Sequence, residues 1–339
     1  MTGNSSGNLF FSIILAFRNE ADFLEECLRS FDNQSLTRNE WEIILVDGQS
    51  NDGSEKIARE YCEQHDNSEY VTNPKKLAAA GWNIGVRLSS GKYYFPASGH
   101  AVIDKDFLKE AKIFFKKNAD VHALGGRVIS MGINSASKAI AAASNTPFGM
   151  GGVYYRIGTT PRRVNVVGLG IYSRHLYLSI GPYLHDFVRS GDWEFNYRAW
   201  VAGFKMYINP AMKSQLYVRS NFRRTFLQQF ITGFWKIRVW EIHPRSLLLR
   251  HMIPPLFVLW LLASPFFIFF GWTIFFLWLF PSLIYLMLSI FSAFKVSDRE
   301  HKWHLIILSY PVIHLAYGMG FLVGLLSWCK KRLFREKRV

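Results

Sequence analysis

Short apolar blocks punctuate the first two thirds of the chain and merge into long apolar runs in the last third. Strand-length runs occur at Phe10 to Phe17, Glu42 to Val46, around Tyr70, Tyr93 to Pro96 and Ala123 to Ser130. Between them, apolar positions recur every three or four residues, which predicts helices over Ala21 to Phe31, Ser54 to His65, Leu77 to Leu88 and Lys105 to Lys117. Strands alternating with helices through short polar turns predict a mostly parallel sheet with helices on both faces and its ligand at the carboxyl ends of the strands. Further strands are expected at Val164 to Gly168 and Lys205 to Ile208, with a helix over Trp193 to Val201 between them. The Ala-, Ser- and Gly-rich stretch Ser135 to Pro161 reads either as a mobile loop near a site or as a plain connector.

The last third changes the class of the protein. No charged residue occurs from Met252 to Phe294, and Leu305 to Cys329 is broken only by His314. Both runs exceed the roughly 20 residues needed to cross a hydrocarbon core. Runs this long and rich in Trp and Phe argue against a buried helix pair of a soluble protein and for an integral membrane protein. Pro254 to Phe270, Trp272 to Phe294 and His304 to Trp328 make three segments. Pro254, Pro255 and Pro265 suggest a re-entrant first segment, leaving two crossings with both termini inside. Phe222 to Trp240 sets six Phe and Trp among basic residues and reads as an amphipathic helix in the membrane interface, or as an ordinary surface helix. The expected organisation is therefore a disordered terminus (1–8), an α/β domain (9–220), an interfacial helix region (221–246), a transmembrane region (247–329) and a basic cytoplasmic tail (330–339). The spacing Gly320 to Gly324 permits close helix packing or a homo-oligomer.

Of the 339 residues, 50% are hydrophobic, and the formal net charge is +15. The location of that charge matters more than its size. Eight Lys and Arg against one acid fall between Pro210 and Arg250, and six more cations occur from Lys330 to Arg338. Both clusters flank the apolar runs, where each cation gains about 1 kcal/mol from anionic headgroups. Anionic lipid, and not nucleic acid, is the expected partner. Cys27, Cys62 and Cys329 show no metal-like spacing and fit a reducing compartment. Met1 to Asn8 is polar, and the run Phe10 to Phe17 is short and ends in Arg18-Asn19-Glu20, so no secretory signal is expected and the first domain is placed in the cytoplasm.

Two acidic constellations could carry chemistry. Asp47 ends an apolar strand and precedes Gly48-Gln49-Ser50-Asn51-Asp52-Gly53-Ser54, where a carboxylate can accept hydrogen bonds from a base or ribose; Asp52 reads better as a cap for the following helix. Asp192 and Glu194 stand at a helix start, either as a base able to take a hydroxyl proton or as carboxylates favoured by the helix dipole.

Read in order, Ala16-Phe17-Arg18-Asn19-Glu20, the Asp47 to Ser54 turn, Asn73-Pro74 with Ala80-Gly81-Trp82-Asn83-Ile84-Gly85, and Gly191-Asp192-Trp193-Glu194 resemble the family 2 inverting glycosyltransferases. Ser144 to Gly149, Phe234 to Val239, His243-Pro244 and His251 to Leu256 are similar to the membrane-bound glucosyltransferases of succinoglycan-type exopolysaccharide assembly. The resemblance implies a GT-A fold, a nucleotide-diphosphate sugar donor such as a UDP-sugar, and direct displacement with inversion. It makes Asp192 the general base with Glu194 in support, and has Glu20 and Asp47 contact the nucleotide base. Phe17, Asn19, Ser50, Asp52, Asn73, Lys76, Gly81, Asn83, Ser98, Gly99, His100 and Arg219 complete the implied donor site. Where such enzymes carry a metal motif similar to Asp-Ala-His, this chain has Ser98-Gly99-His100. His100 is thus the implied ligand for Mn²⁺ or Mg²⁺, while Ser98 supplies no charge and Arg219 to Arg224 could take over part of the neutralisation. The implied acceptor is a polyprenyl-type lipid-linked sugar at the cytoplasmic face of a bacterial or archaeal plasma membrane. A polyprenyl-phosphate sugar transferase and a non-catalytic scaffold of polysaccharide assembly are the alternatives.

Overall fold

The computed structural model describes residues 9–297 and 302–336. The expected disordered terminus (1–8) and residues 337–339 of the basic tail lie outside the described residues. The chain divides into two compact units, one of Met1–Ile129 with Tyr154–Leu216, the other of Ser130–Val153 with Tyr217–Val339. Neither unit is contiguous in sequence.

The first unit contains strands β1 (Phe11–Phe17), β2 (Trp41–Asp47), β3 (Ser68–Thr72), β4 (Tyr93–Ser98), β5 (Ala101–Ile103), β6 (Val121–Met131), β7 (Arg162–Arg163), β8 (Ile171–Ser173) and β9 (Lys205–Tyr217), with the ends of β6 and β9 running into the second unit. Its helices are α1 (Ala21–Asp32), α2 (Ser54–Gln64), α3 (Ala78–Leu88), α4 (Phe107–Lys117), α8 (Arg174–Ile180), α9 (Gly191–Val201) and the single turn α7 (Tyr154–Ile157). The sheet order is β3-β2-β1-β4-β8-β6-β9-β5, with β7 on β9. Only β3, β2, β1 and β4 run parallel; β8 pairs antiparallel with both β4 and β6, and β9 antiparallel with β5 and β7. The sheet is therefore mixed, and its parallel part is confined to the first half.

Period-two alternation builds the two faces of this sheet. Phe11, Ile13 and Leu15 of β1, Ile43 and Leu45 of β2, and Phe95 of β4 join α1, α2 and α4 in one core. Ile14, Ile44, Val46 and Tyr94 point the other way, into a second core with α3, α8 and α9. Both faces are covered, as expected. No strand forms at Val164 to Gly168: the Val167 N–H donates to the Asn196 side chain at 3.1 Å, satisfying locally a backbone group that would otherwise seek a strand partner.

The second unit comprises α5 (Ser135–Ser144), the turn α6 (Pro147–Met150), α10 (Phe222–Ile242), α11 (Leu249–Ala263), α12 (Trp272–Val296) and α13 (Trp303–Glu336). Ser135 to Pro161 is neither a mobile loop nor a plain connector over its first half. Alanine carries the best helix propensity, and Asn134 and Ser137 form a reciprocal cap at its start. Ala139, Ala142 and Ala143 then pack on Ile306, Tyr310 and Ile313 of α13.

Three segments are long and apolar enough to cross a membrane: Leu249–Phe270, Trp272–Val296 and Trp303–Leu333. Pro265 opens a tight 3₁₀ turn, Ser264–Phe270, which continues the α11 segment to Gly271. Trp278 of α12 stacks on Trp260 of α11 and on Phe267 at 3.6 and 3.7 Å, so the first two segments form an antiparallel hairpin. Close approach of α10 to α13 is possible only because of glycine. A Cβ on Gly233 would collide with the Tyr317 carbonyl, and one on Gly320 with the Phe230 carbonyl. The Gly320 and Gly324 spacing thus serves packing within this chain, and α10 is docked on a membrane-type helix.

Candidate donor and transfer site

β1 is hydrogen-bonded to β2 on one side and β4 on the other, in parallel, so strand order reverses there and the carboxyl ends open a crevice. The register sets Phe17 opposite Asp47 and Ala16 opposite Ser98. Phe17, Asn19, Glu20, Asp47, Ser50, Asp52, Ser98, Gly99 and His100 are therefore brought to one edge.

The loops after β1 and β2 are laced together. Asn19 has a left-handed backbone, φ 54°, and its N–H donates to Ser50 Oγ at 2.9 Å while its side-chain carbonyl accepts the Asn51 N–H. The Glu20 N–H donates to Ser54 Oγ, and the Ala21 N–H to Asp52. Partial burial works against the Asp52 charge, but bonds from the Ser54 hydroxyl and the Ala21 and Ser54 N–H groups outweigh it and hold this carboxyl below its usual range. Asp52 thus joins the two loops, accepting the Ala21 N–H of one and the N–H of Ser54, the first residue of α2, in the other.

Asp47 is buried, its carboxylate accepting from the Ser50 N–H, the Ser50 hydroxyl (2.6 Å) and the Tyr70 hydroxyl (3.0 Å). A carboxylate offers about four acceptor directions, so most are already filled by the loop itself. Burial, and then the bond to Asp47, push the Tyr70 phenol up, which keeps it a donor. Tyr70 was not among the expected residues. The parallel pairing of β2 with β3, with Leu45 opposite Tyr70, is the signal that reaches it. Arg18 was also missed, although it sits in the first motif: it is exposed at the end of β1, with its stem against Gly48.

The Ser98-Gly99-His100 turn lies against the start of α1. A Cβ on Gly99 would stand 2.9 Å from Phe17 Cβ and 3.3 Å from Glu20 Cβ, so only glycine lets the turn close onto the end of β1. That closure puts His100 Nδ1 3.0 Å from Glu20 Oε1. Glu20, expected at the nucleotide base, faces His100 across this edge.

The remaining expected residues lie in the turn after β3, on α3 and just beyond β9. Asn73 is buried and shapes the turn after β3, donating to the Leu77 carbonyl and accepting the Lys75 N–H. Lys76 follows, exposed and left-handed at φ 60°. Gly81 packs α3 against Ala16 and Val46, and the buried amide of Asn83 is spent on Tyr183, donating to its carbonyl at 2.7 Å and accepting its N–H at 3.0 Å. Asn83 therefore orders the segment leading into α9. Arg219 belongs to the second unit.

Asp192 and Glu194 diverge in environment although two residues apart. Ser190 enters α9 in a left-handed conformation, φ 63°, and a Cβ on Gly191 would stand 3.7 Å from Ala79, so α9 starts beside the start of α3. Asp192 is exposed there. Glu194 has no exposed surface and accepts from Arg198 Nε at 2.7 Å and Nη2 at 3.0 Å. Arg198 also donates to the carbonyls of Ile180, Gly181 and Pro182. Through Arg198, Glu194 is tied to the loop before α9.

Residues 12–177 match the family model described as glycosyl transferase family 2. A Methanococcus voltae protein, a dolichyl N-acetyl-α-D-glucosaminyl phosphate 3-β-D-2,3-diacetamido-2,3-dideoxy-β-D-glucuronosyltransferase, is 27% identical over 66% of this chain and 71% of its own length. The succinoglycan biosynthesis protein ExoA of Rhizobium meliloti is 25% identical over 71% of this chain and 73% of its own. Among solved structures, the mannosyltransferase PcManGT of Pyrobaculum calidifontis, in complex with GDP-Man and Mn²⁺, superposes with a TM-score of 0.58 at 15% identity, covering 93% of this chain and 88% of that one. The crevice where β1 meets β2 and β4, the loops that close it and these matches agree: residues 12–177 form a glycosyl transferase family 2 domain with a GT-A-like fold, and the protein is a transferase enzyme.

Proposed function

We propose that the enzyme transfers one sugar, with inversion, from a nucleotide-diphosphate donor to a lipid-linked acceptor at the cytoplasmic face of the membrane. The observation that carries this reading is the exposed Asp192 at the α9 start, beside the α3 start, in a chain whose second unit holds three membrane-length helices. The donor lies along the ends of β1, β2 and β4, and Asp192 takes the acceptor hydroxyl proton as that oxygen attacks the anomeric carbon. The name of the Methanococcus voltae relative, which places a dolichyl-phosphate sugar on the acceptor side, supports a lipid-linked acceptor here. A panel of nucleotide sugars, assayed for nucleotide release with and without polyprenyl-linked acceptors, tests it. Release that no acceptor stimulates would sink the reading.

A divalent cation fits only in part. Among the described residues, no three His, Cys, Asp or Glu side chains form a ready metal site. His100 and Glu20 offer one imidazole and one carboxylate, enough for a cation whose other ligands are diphosphate oxygens and water. Such an ion would neutralise the leaving diphosphate. Ser98→Asp is expected to lower the Mn²⁺ concentration needed for donor binding, and His100→Ala to raise it. Calorimetric donor titrations that Mn²⁺ leaves unchanged in wild type and both variants would assign His100 a purely structural role.

For topology, the six cations from Lys330 to Arg338 favour the cytoplasm. Val339→Cys, made with the exposed Cys329 replaced by Ser, is expected to be shielded from an impermeant thiol reagent in intact cells. Efficient labelling would instead support three full crossings.

A further inference from the structure

One cation of the first unit finds no partner in the chain. Arg127, on β6, is half-buried, its Nε is shielded from solvent without a hydrogen-bond acceptor, and among the described residues its guanidinium makes no hydrogen bond or ion pair. Its backbone is held, because the main-chain carbonyl accepts from Ser214 Oγ at 3.4 Å. A guanidinium taken partly out of water is costly to keep unless an anion meets it. The chain supplies none, so the anion is sought in a substrate.

Strand register fixes where this cation stands. Tyr94 of β4 and Ala123 of β6 both pair with Tyr172 of β8, so these two strands, each antiparallel to β8, are level at that point. Four residues on, β4 ends at Ser98 and β6 reaches Arg127, level again and on the face that Tyr94 and Ala123 share. Gly125 keeps the alternation, because a Cβ there would stand 2.8 Å from Ile208 Cδ1 and 2.9 Å from Val167 Cβ, both in the second core. No strand fills the space between Ser98 and Arg127, since β8 begins at Ile171, opposite Leu124. The two backbones are about 10 Å apart, two strand spacings, which a long side chain and a phosphate span together. The first turn of α9 lies over the same face. The Asn196 amide donates to the Tyr172 hydroxyl at 3.1 Å and to the Asp192 carbonyl at 2.8 Å, and burial, then the Asp192 charge, push the Tyr172 phenol up. An acid at position 98 would stand level with the guanidinium and quench it. Ser98 leaves it its full charge.

We infer that Arg127 binds the diphosphate of the nucleotide-sugar donor and neutralises it as the leaving group. This deepens the reading above and rests on it for the donor. The acceptor oxygen bonds to the anomeric carbon and its proton goes to Asp192, while the bond from that carbon to the phosphate oxygen breaks with its electron pair on the oxygen, where the guanidinium meets the added charge. The first unit thus carries its own cation for the task, whereas Arg219 belongs to the second. The test is calorimetric titration of the full-length protein, in phosphatidylcholine nanodiscs with EDTA, by UDP, UMP, GDP and GMP. For the nucleoside that binds, Arg127→Gln is expected to weaken the diphosphate about 10- to 100-fold and the monophosphate far less. Arg127→Lys keeps the charge without the planar fork and is expected to recover part of the loss. Neither variant is expected to melt below wild type, because no partner within the protein is lost.

Equal diphosphate affinity in wild type and both variants overturns the assignment, and so does an equal loss for diphosphate and monophosphate. A lowered melting temperature with unchanged affinity makes Arg127 a structural residue, and a loss confined to the binding of farnesyl phosphate moves the guanidinium to the acceptor; either result overturns its place at the donor. Binding of neither diphosphate by the wild type does the same. Acceptor-stimulated nucleotide release, measured separately on the wild type, reports on the proposed reaction. Diphosphate binding that depends on Arg127, without transfer to any lipid-linked acceptor, sinks that reaction and leaves the role of Arg127 standing.

Discussion

Asp192→Asn is expected to reduce sugar transfer by about 10²- to 10⁴-fold while donor affinity stays within a few-fold of wild type. The amide keeps the shape of the side chain but cannot accept the acceptor's hydroxyl proton. Its fold should survive, because Asp192 is exposed and its structural bond uses the main-chain carbonyl, which accepts from the Asn196 amide at 2.8 Å. Losing one carboxylate from the first turn of a helix costs only about 0.3–1 kcal/mol. Single-turnover transfer, with donor binding measured by calorimetry on the same preparation, separates the two effects. Near wild-type transfer would reduce Asp192 to a helix-end charge.

Glu194→Ala should damage the enzyme by a different route. The wholly buried carboxylate is the charged partner of Arg198, and its removal leaves a largely buried guanidinium with only the carbonyls of Ile180, Gly181 and Pro182. Breaking a buried pair from one side typically costs about 3–5 kcal/mol. Glu194→Gln retains acceptor capacity and should lose less, about 1–3 kcal/mol. Denaturant melts of the two variants give the comparison. An Ala variant as stable as wild type would show that the pair does not hold the loop before α9.

The sheet and its helices were legible because alternation and helical spacing are local properties of the sequence. Phe11 to Phe17 and Ala21 to Asp32 are read almost to the residue. What failed depends on partners distant in sequence. Val164 to Gly168 has the composition of a strand, but Asn196, some thirty residues on, takes the Val167 N–H. Ser135 to Ser144 resembles a flexible stretch until the alanines are seen as a smooth face for α13. In the site, the motif residues Asn19, Asp47 and His100 do converge, since strand register carries them to one edge. Which of them are free for a ligand was not legible. Asp47, Asn73, Asn83 and Glu194 are polar residues whose hydrogen bonds are made inside the protein. The sequence shows that such groups are present, but the folded chain decides where their donors and acceptors are spent.

The interruption of the first unit by residues 130–153 bears on how this enzyme can be dissected. A fragment ending at Leu216 would remove α10 to α13 yet retain α5, with Ala139, Ala142 and Ala143 stripped of Ile306, Tyr310 and Ile313. Such a fragment would carry an uncovered apolar helix in the middle of its sheet-forming sequence and would tend to self-associate. Replacing residues 130–153 with a short polar turn, in addition to the truncation, is the route to a soluble catalytic unit. The same insertion means that cutting the chain once, after Leu216, does not separate the units cleanly, because the first unit would still carry a piece of the second.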